Sequence, residues 1–229
     1  MKTGKLLSRR LRRIQSDERD DYNVILTATL TLLGLIIGFS FSMAISRYDL
    51  RKNYEEVEAN AIGTEYNRAE LLGSPDAEKV RALLKEYLRK RLVFYKIRNV
   101  RQLKAVGRET AQLQNQMWTT VQANASAKPT PITALVVSGM NDVLDAQGYA
   151  QAAWWNRIPV AAWMLMLAIA ICCTLLLGYG AQRPESLLLL TLPMVLSIAF
   201  LLIADIDSPR GGIIRVRPAN LISLSDSLP

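Results

Sequence analysis

The densest polar signal in this chain is the run Glu58-Ala-Asn60-Ala-Ile-Gly63-Thr-Glu65-Tyr66-Asn67-Arg68. On a helix, Glu58, Glu65 and Arg68 share a face with Tyr54, Ala61 and Leu72. Charges on so apolar a face must be paired or hydrated, because burying one alone costs several kcal/mol. Two arrangements meet that demand. One is a structural network with Arg81, Arg89 or Arg91 further along the chain; the other is a hydrated ion path or a subunit contact. Asn141-Asp142 interrupts an apolar helical run and could cap or pair with the same groups.

A second candidate is Asp205-Ile-Asp207-Ser-Pro-Arg210-Gly-Gly. Two carboxylates without further oxygen ligands are a poor divalent-cation site, so a boundary turn stapled by Arg210 is the reading they support. A third candidate is the stripe Thr27, Thr31, Gly34, Gly38 and Ser42, which falls within about an 80° arc at 100° per residue. Leu26, Leu30, Leu33, Ile37 and Phe41 form a bulky arc on another side. Gly34-x-x-x-Gly38 is the small-x-x-x-small pattern whose commoner use is close helix packing; a polar, pore-facing stripe is the alternative.

Other chemistries are excluded by what is missing. The sequence contains no His, which removes Ser-His-Asp and Cys-His catalysis and every His-ligated metal site. Its two cysteines, Cys172 and Cys173, are adjacent within an apolar run. They point about 100° apart on a helix, too divergent for an easy bridge, and read as small packing residues. No nucleophile is placed beside a base, no cofactor motif is present, and an enzyme reading has nothing to stand on.

The elements that must position these residues follow from hydropathy. Val24–Ser46, Ile158–Gly180 and Leu187–Ala204 contain no Asp, Glu, Lys or Arg and run 23, 23 and 18 residues. Crossing a hydrocarbon core of about 30 Å takes about 20 apolar residues in a helix. The chain is therefore expected to be a multi-pass integral membrane protein. Its three transmembrane helices would lie at 24–46, 158–180 and 187–204, with a basic tail at 1–21, a polar middle at 47–157 and a polar tail at 205–229. The net charge of +8 does not indicate nucleic acid. Lys2, Lys5, Arg9, Arg10, Arg12, Arg13 and Arg19 crowd the first 21 residues, just before the first span. That is a topology and anionic-lipid signal, and no nucleic-acid motif accompanies it.

The polar middle reads as helical throughout. Arg47–Leu72 continues the first span until Gly73-Ser74-Pro75, where Ser74 is the expected N-cap and Pro75 the first helical residue. Val80, Leu84, Tyr87, Arg91 and Phe94 then follow 3–4 spacing, widened by Leu83 and Leu88. Leu103, Val106, Thr110, Leu113, Met117 and Val121 form the stripe of a Gln-rich helix. A further helix starts at Thr130-Pro131 with Ile132, Leu135, Val136, Val143 and Leu144 as its core. It runs toward Trp154-Trp155, which are expected at the membrane interface. No strand-like alternation of any length appears; Gly211–Arg217 is short and extended at most. The fold class expected is an all-α membrane protein with a helical extramembrane domain between its first and second spans.

Three stretches carry a family likeness: Gly-Phe-Ser-Phe-Ser-Met-Ala-Ile-Ser-Arg-Tyr at 38–48, the run Glu58–Leu72, and Ala204-Asp-Ile-Asp-Ser-Pro-Arg-Gly-Gly-Ile-Ile-Arg-Val216. In these the chain resembles the bestrophin-like domain family of bacterial membrane proteins. That resemblance implies a remote kinship with bestrophins, pentameric anion channels with a helical cytosolic domain between two pairs of spans. Relatives usually carry another hydrophobic segment before the basic linker, whereas Met1 opens directly on it, so either three spans or a shortened start is expected. No acidic cluster resembling the bestrophin calcium clasp is present, and calcium gating is not carried over.

Two functions are compatible with these residues. One is an inner-membrane homo-oligomer that passes small ions, anions among them; the other is a non-conducting scaffold whose helical domain binds a partner protein. Both have the lipid bilayer as partner and neither involves nucleic acid. Orientation also divides. The basic tail flanks the first span directly and would be cytoplasmic, placing Arg47–Arg157 outside, while the bestrophin resemblance implies the cytosol. Long loops such as this one, with 17 Lys and Arg against 12 Asp and Glu, count for little in the positive-inside rule. With Cys172 and Cys173 replaced by alanine, a Ser74→Cys chain in intact cells is expected to react with a membrane-impermeant maleimide; protection would assign the cytosolic arrangement.

Overall fold

A computed structural model describes residues 18–181 and 187–229. All regular structure among them is helical: α1 (Glu18–Arg68), α2 (Asp76–Lys96), α3 (Val100–Ala127), α4 (Pro131–Trp155), α5 (Val160–Gly180), α6 (Thr191–Asp207) and α7 (Ala219–Ser227), with 3-10 turns at Ala69–Leu71 and Leu187–Leu190. Most of the basic tail and of the hairpin turn Ala181–Ser186 lies outside the described residues. The chain divides into two compact units, residues 1–46 with 157–208, and residues 47–156 with 209–229.

The first unit holds the apolar helices. Helix α1 is described over 51 residues, about 76 Å at 1.5 Å per residue, and already includes Glu18, inside the expected tail. Glu18, Asp20 and Asp21 occupy its first turn, where carboxylates favour the positive end of the helix dipole. The small core here consists of Leu33, Ala170, Cys173 and Leu196, flanked by Leu30, Ile37, Ile169, Leu192 and Phe200. The bulky arc of α1 thus supplies the packing, and Cys173 is buried while Cys172 is exposed. The Asp207 carboxylate accepts the Ile158 N–H at 3.0 and 3.1 Å, tying the end of α6 to the approach to α5. Beyond that core, Val24, Phe39, Val160, Met164, Met194 and Leu201 stand more than half exposed. So large an apolar surface requires an apolar surround, and among the described residues three helices are long and apolar enough to cross a membrane.

The second unit has a conventional core. Val80, Leu84, Tyr87, Arg91 and Phe94 of α2 are buried, as are Val106, Thr110, Met117 and Val121 of α3, so the 3–4 spacings hold. Thr130 caps α4: its hydroxyl accepts the Thr133 N–H at 3.2 Å, Thr133 Oγ1 accepts the Thr130 N–H at 3.0 Å, and Pro131 occupies the first turn.

Four expectations need correction. Ser74 does not cap α2, which starts at Asp76; its hydroxyl instead donates to Glu78 at 3.3 Å. Ile132 and Leu135 are exposed, and the inner face of α4 is Thr133, Val136, Gly139, Met140, Val143, Ala146 and Ala150. Small residues let that face approach its neighbours closely, which a ranking by hydrophobicity misses. Trp154 is not an interface residue; it is 4% exposed, packed edge-on against Phe94 and Tyr95 at 5.5 and 5.4 Å. Trp155 alone is exposed. Finally, the last segment is no polar tail: Val216 and Leu221 are buried in the core, and α7 packs on α2.

At the centre of this unit Arg91 and Glu58 form a bidentate ion pair, Nε donating to Oε1 and Nη2 to Oε2 at 3.1 Å, with both side chains buried. The Tyr95 hydroxyl donates to the same carboxylate at 3.3 Å. Removing one partner of a buried pair strands the other charge. Glu58→Gln is therefore expected to lower stability by about 3–5 kcal/mol in denaturant titrations in mild detergent. Replacing both residues, as Glu58→Leu with Arg91→Met, should restore most of that loss.

Candidate functional site

In the second unit α1 directs a series of charged side chains inward. Arg51, Glu55, Glu58 and Glu65 are each at most 1% exposed. They follow spacings of four, three and seven residues, one face of a helix. Arg51 donates from Nε to the Ala153 carbonyl and from Nη2 to the Asn156 carbonyl, both at 3.1 Å. It thereby satisfies carbonyls left unpaired at the end of α4. Glu55 does the converse: Oε1 accepts the Leu221 N–H at 2.9 Å and Oε2 accepts Asn220 Nδ2 at 2.7 Å, anchoring the start of α7. Glu58 holds Arg91. Burial works against the Arg91 charge, but the Glu58 carboxylate outweighs it and leaves the guanidinium's pKa above its ordinary value. Burial, then Glu58, pushes up the Tyr95 hydroxyl.

Of the arginines expected to pair with this face, Arg91 alone meets Glu58. Arg81 reaches Glu70 at 2.7 Å and Arg89 reaches Glu86 at 2.8 Å. Arg51 and Glu55 were not among the expected site residues. Their signal was present in the continuation of 58 and 65 backwards at helical spacing.

Glu65 is different. Its side chain is fully buried, and neither carboxylate oxygen has a hydrogen-bond partner. It lies directly over Gly139 of α4, where an added Cβ would stand 2.0 Å from Oε2 and 2.6 Å from Nη1 of Arg68. Arg68 in turn pairs with Asp142 at 3.6 Å. Burial raises the Glu65 pKa to about 8; Arg68 pulls it down and Asp142 pushes it up. Near neutrality this carboxyl carries its proton, and Glu65, Arg68, Asp142 and Gly139 form a compact cluster that is dry at Glu65 and open to water at Asp142. Asn141 is exposed beside it.

Asn60 points elsewhere. With Thr64, Asn67, Arg81, Asn220 and Ser223 it lines an open polar groove of about 710 Å³. The Arg81 guanidinium lies 4.2 Å from the centre of the Tyr66 ring, a cation–π contact. Arg210 staples the other end of the unit: Nη1 donates to the Phe94 and Ile97 carbonyls, both at 2.8 Å. Its guanidinium is 4.5 Å from the Phe94 ring and 4.4 Å from the Trp154 ring. Asp207 serves the Ile158 N–H, and Asp205 is half-buried beside it. No group of three or more Cys, Asp or Glu is placed to hold a metal among the described residues.

In the first unit the stripe faces outward. Thr27, Thr31, Gly34, Gly38 and Ser42 are all exposed, and a Cβ at Gly34 or Gly38 would meet nothing within 4 Å. The Thr31 hydroxyl donates to the Thr27 carbonyl at 2.9 Å, the usual resting place of a threonine hydroxyl on a helix. Among the described residues nothing stands within 4 Å of a Cβ at either glycine of this face.

Fold and sites together describe a helical membrane protein whose polar residues either brace a packed helical unit or stand open on one long helix. The chain belongs to the bestrophin-like domain family, whose family model matches residues 4–221. No curated protein sequence matches it. Among solved structures it is similar to a bacterial bestrophin homologue from Klebsiella pneumoniae bearing a tyrosine-to-alanine substitution, at 12% identity and a TM-score of 0.66, covering 89% of this chain and 88% of that one. It is likewise similar to a crystal structure of a bestrophin homologue from the same organism phased on zinc. That likeness has 13% identity and a TM-score of 0.62, over 99% and 97% of the two chains. A third, described as a membrane protein, has 13% identity and a TM-score of 0.69 over 90% and 84%. At such identities these likenesses establish the fold.

Gly139→Ala tests the close approach at Glu65. The added methyl must displace the carboxyl or the guanidinium within a packed seam, and overpacking of this kind costs about 1–3 kcal/mol. A loss in that range is expected by chemical denaturation in detergent, against no loss for alanine at Gly34, where space is open.

Proposed function

We propose that this protein is the subunit of an oligomeric pore for small ions, anions foremost, in the bacterial inner membrane. The three spans would lie at about 24–46, 158–180 and 187–204, with the helical unit outside the hydrocarbon. A ring is needed, because three helices cannot enclose a wide aqueous path alone. The observation that carries this reading is the division of labour on α1. Its bulky arc is used in packing, while Thr27, Thr31, Gly34, Gly38 and Ser42 stand exposed among the described residues. Hydroxyls and small residues suit either the lumen of a ring or the close contact of adjacent subunits. Membership of the bestrophin-like family supports the same reading.

A non-conducting scaffold is the second reading, favoured by one observation. Arg51, Glu55 and Glu58 are all consumed in holding the helical unit together, so the inward charges of α1 leave no ion path of their own. No charge lies within the three apolar spans, which argues against a coupled transporter with an intramembrane relay. It does not weigh against a pore that gates at an apolar constriction.

Purified protein in a planar bilayer under symmetric chloride is expected to pass current, and mild-detergent preparations to contain a closed ring. Thr31→Leu should reduce that current severalfold. Gly38→Leu should leave the protomer folded, since it adds bulk into open space, yet weaken the ring or block conduction. A monomer without current at any voltage would favour the scaffold.

A further inference from the structure

The seam between α1 and α4 contains a group that no packing role explains. A glutamate placed only for stability would have its oxygens paired, as Glu55 and Glu58 do. The Glu65 oxygens have no donor, and the carboxyl rests on a glycine that leaves room for it and nothing larger. One cation and one anion face it: Arg68 from its own helix, and Asp142 from α4. Arg68 is the last residue of α1 and stands close to both carboxylates, paired with Asp142 at 3.6 Å. Asp142 is mostly exposed, its side chain at 62%, so its grip on Arg68 is weak. A charged Glu65 would compete from inside the seam, where attraction is screened far less.

We propose that Glu65, seated on Gly139, is a proton-operated latch: on losing its proton it draws Arg68 away from Asp142 and loosens the contact between α1 and α4. In the protonated state the carboxyl is neutral, the seam is closed, and Arg68 bridges to α4. In the ionised state the new anion needs Arg68 or water. Gly139 offers no hydrogen-bonding side chain, so α4 must yield. The latch does not depend on whether the protein conducts.

The direction of its pH dependence is set by burial. Folded, Glu65 holds its proton up to a pKa of about 8, well above its ordinary value. The folded protein therefore binds more protons than the unfolded chain between about pH 4.5 and 8. Stability contributed by the neutral group is complete below that window, falls across it, and levels off above it.

The test uses the whole 229-residue chain in detergent micelles between pH 6 and pH 9.5. Infrared difference spectra are expected to show one protonated-carboxyl band disappearing with a midpoint near pH 8, absent in Glu65→Gln. Removing the cation in Arg68→Met should move the midpoint up, and removing the repelling anion in Asp142→Asn should move it down. Spin labels at Asn67→Cys and Asn141→Cys, on a chain with Cys172 and Cys173 replaced by alanine, report the seam. Their separation should lengthen or broaden with the same midpoint, and remain at its pH 6 value in Glu65→Gln. A band that persists in Glu65→Gln, or midpoints that do not separate in opposite directions, would overturn the assignment. A carboxyl that titrates while the label separation stays constant would overturn the latch. The infrared and label measurements on otherwise native protein decide the matter even if Glu65→Gln fails to fold.

Discussion

Burying charge on one face of a single helix is the constraint around which the helical unit is organised. Arg51, Glu55, Glu58 and Glu65 leave water together because they share the inner face of α1. Each therefore demands something specific from a different part of the chain. Arg51 takes the carbonyls that end α4, Glu55 takes the first donors of α7, Glu58 takes Arg91 from α2, and Glu65 takes space above Gly139 of α4. Apolar residues at those positions would pack as densely but without preference among partners. Charges are less forgiving: an alternative docking of α2, α4 or α7 strands at least one of them in a medium of low dielectric constant. The same face thus specifies which helix lies where.

Arginine serves this role three times, in different geometries. Arg91 pairs with a carboxylate through two parallel hydrogen bonds, the match its planar fork allows. Arg51 and Arg210 instead serve helix ends, donating to carbonyls left over at the C-termini of α4 and α2. Each of these sites has the negative end of a helix dipole as its second attraction. Arg210 adds two aromatic faces, Phe94 and Trp154, to its carbonyls. Lysine could reach such carbonyls but could not stack so broadly, so an Arg210→Lys exchange would keep the charge and lose much of the contact.

The apolar unit obeys a different economy. One internal cluster is four buried side chains with a flank of partly buried ones, and many large apolar side chains, Val160 and Leu201 among them, face outward. That balance would be unsustainable in water and is ordinary in a bilayer, where the solvent is as apolar as the core. One consequence is that small residues, rather than large ones, mark the surfaces where helices of different subunits can approach. The Gly34 and Gly38 face has this character, and it lies about 100° around α1 from the arc that the chain uses for itself.

Much of this was legible from residue order alone, because the relevant physics is local. A run of 23 residues without a charge is long and apolar enough to cross a bilayer whatever surrounds it. A 3–4 spacing of apolar residues makes a helix with a buried face, as it did for α2 and α3. Thr130-Pro131 starts α4 through contacts with its own next three residues. Even the pairing of Glu58 with an arginine of the following helix could be narrowed to three candidates. The choice of Arg91 could not, nor could the burial of Arg51 and Glu55, since their partners lie 102 and 166 residues away. Helical periodicity says which residues share a face and is silent on which way a charged face turns. For α4 the inward face holds Gly139, Ala146 and Ala150, and the smallness of Gly139 matters only once Glu65 of α1 lies over it. Residue order determined the helices and the membrane. Tertiary packing alone decided that the charges of α1 face inward, because desolvation and pairing are properties of neighbours distant in sequence.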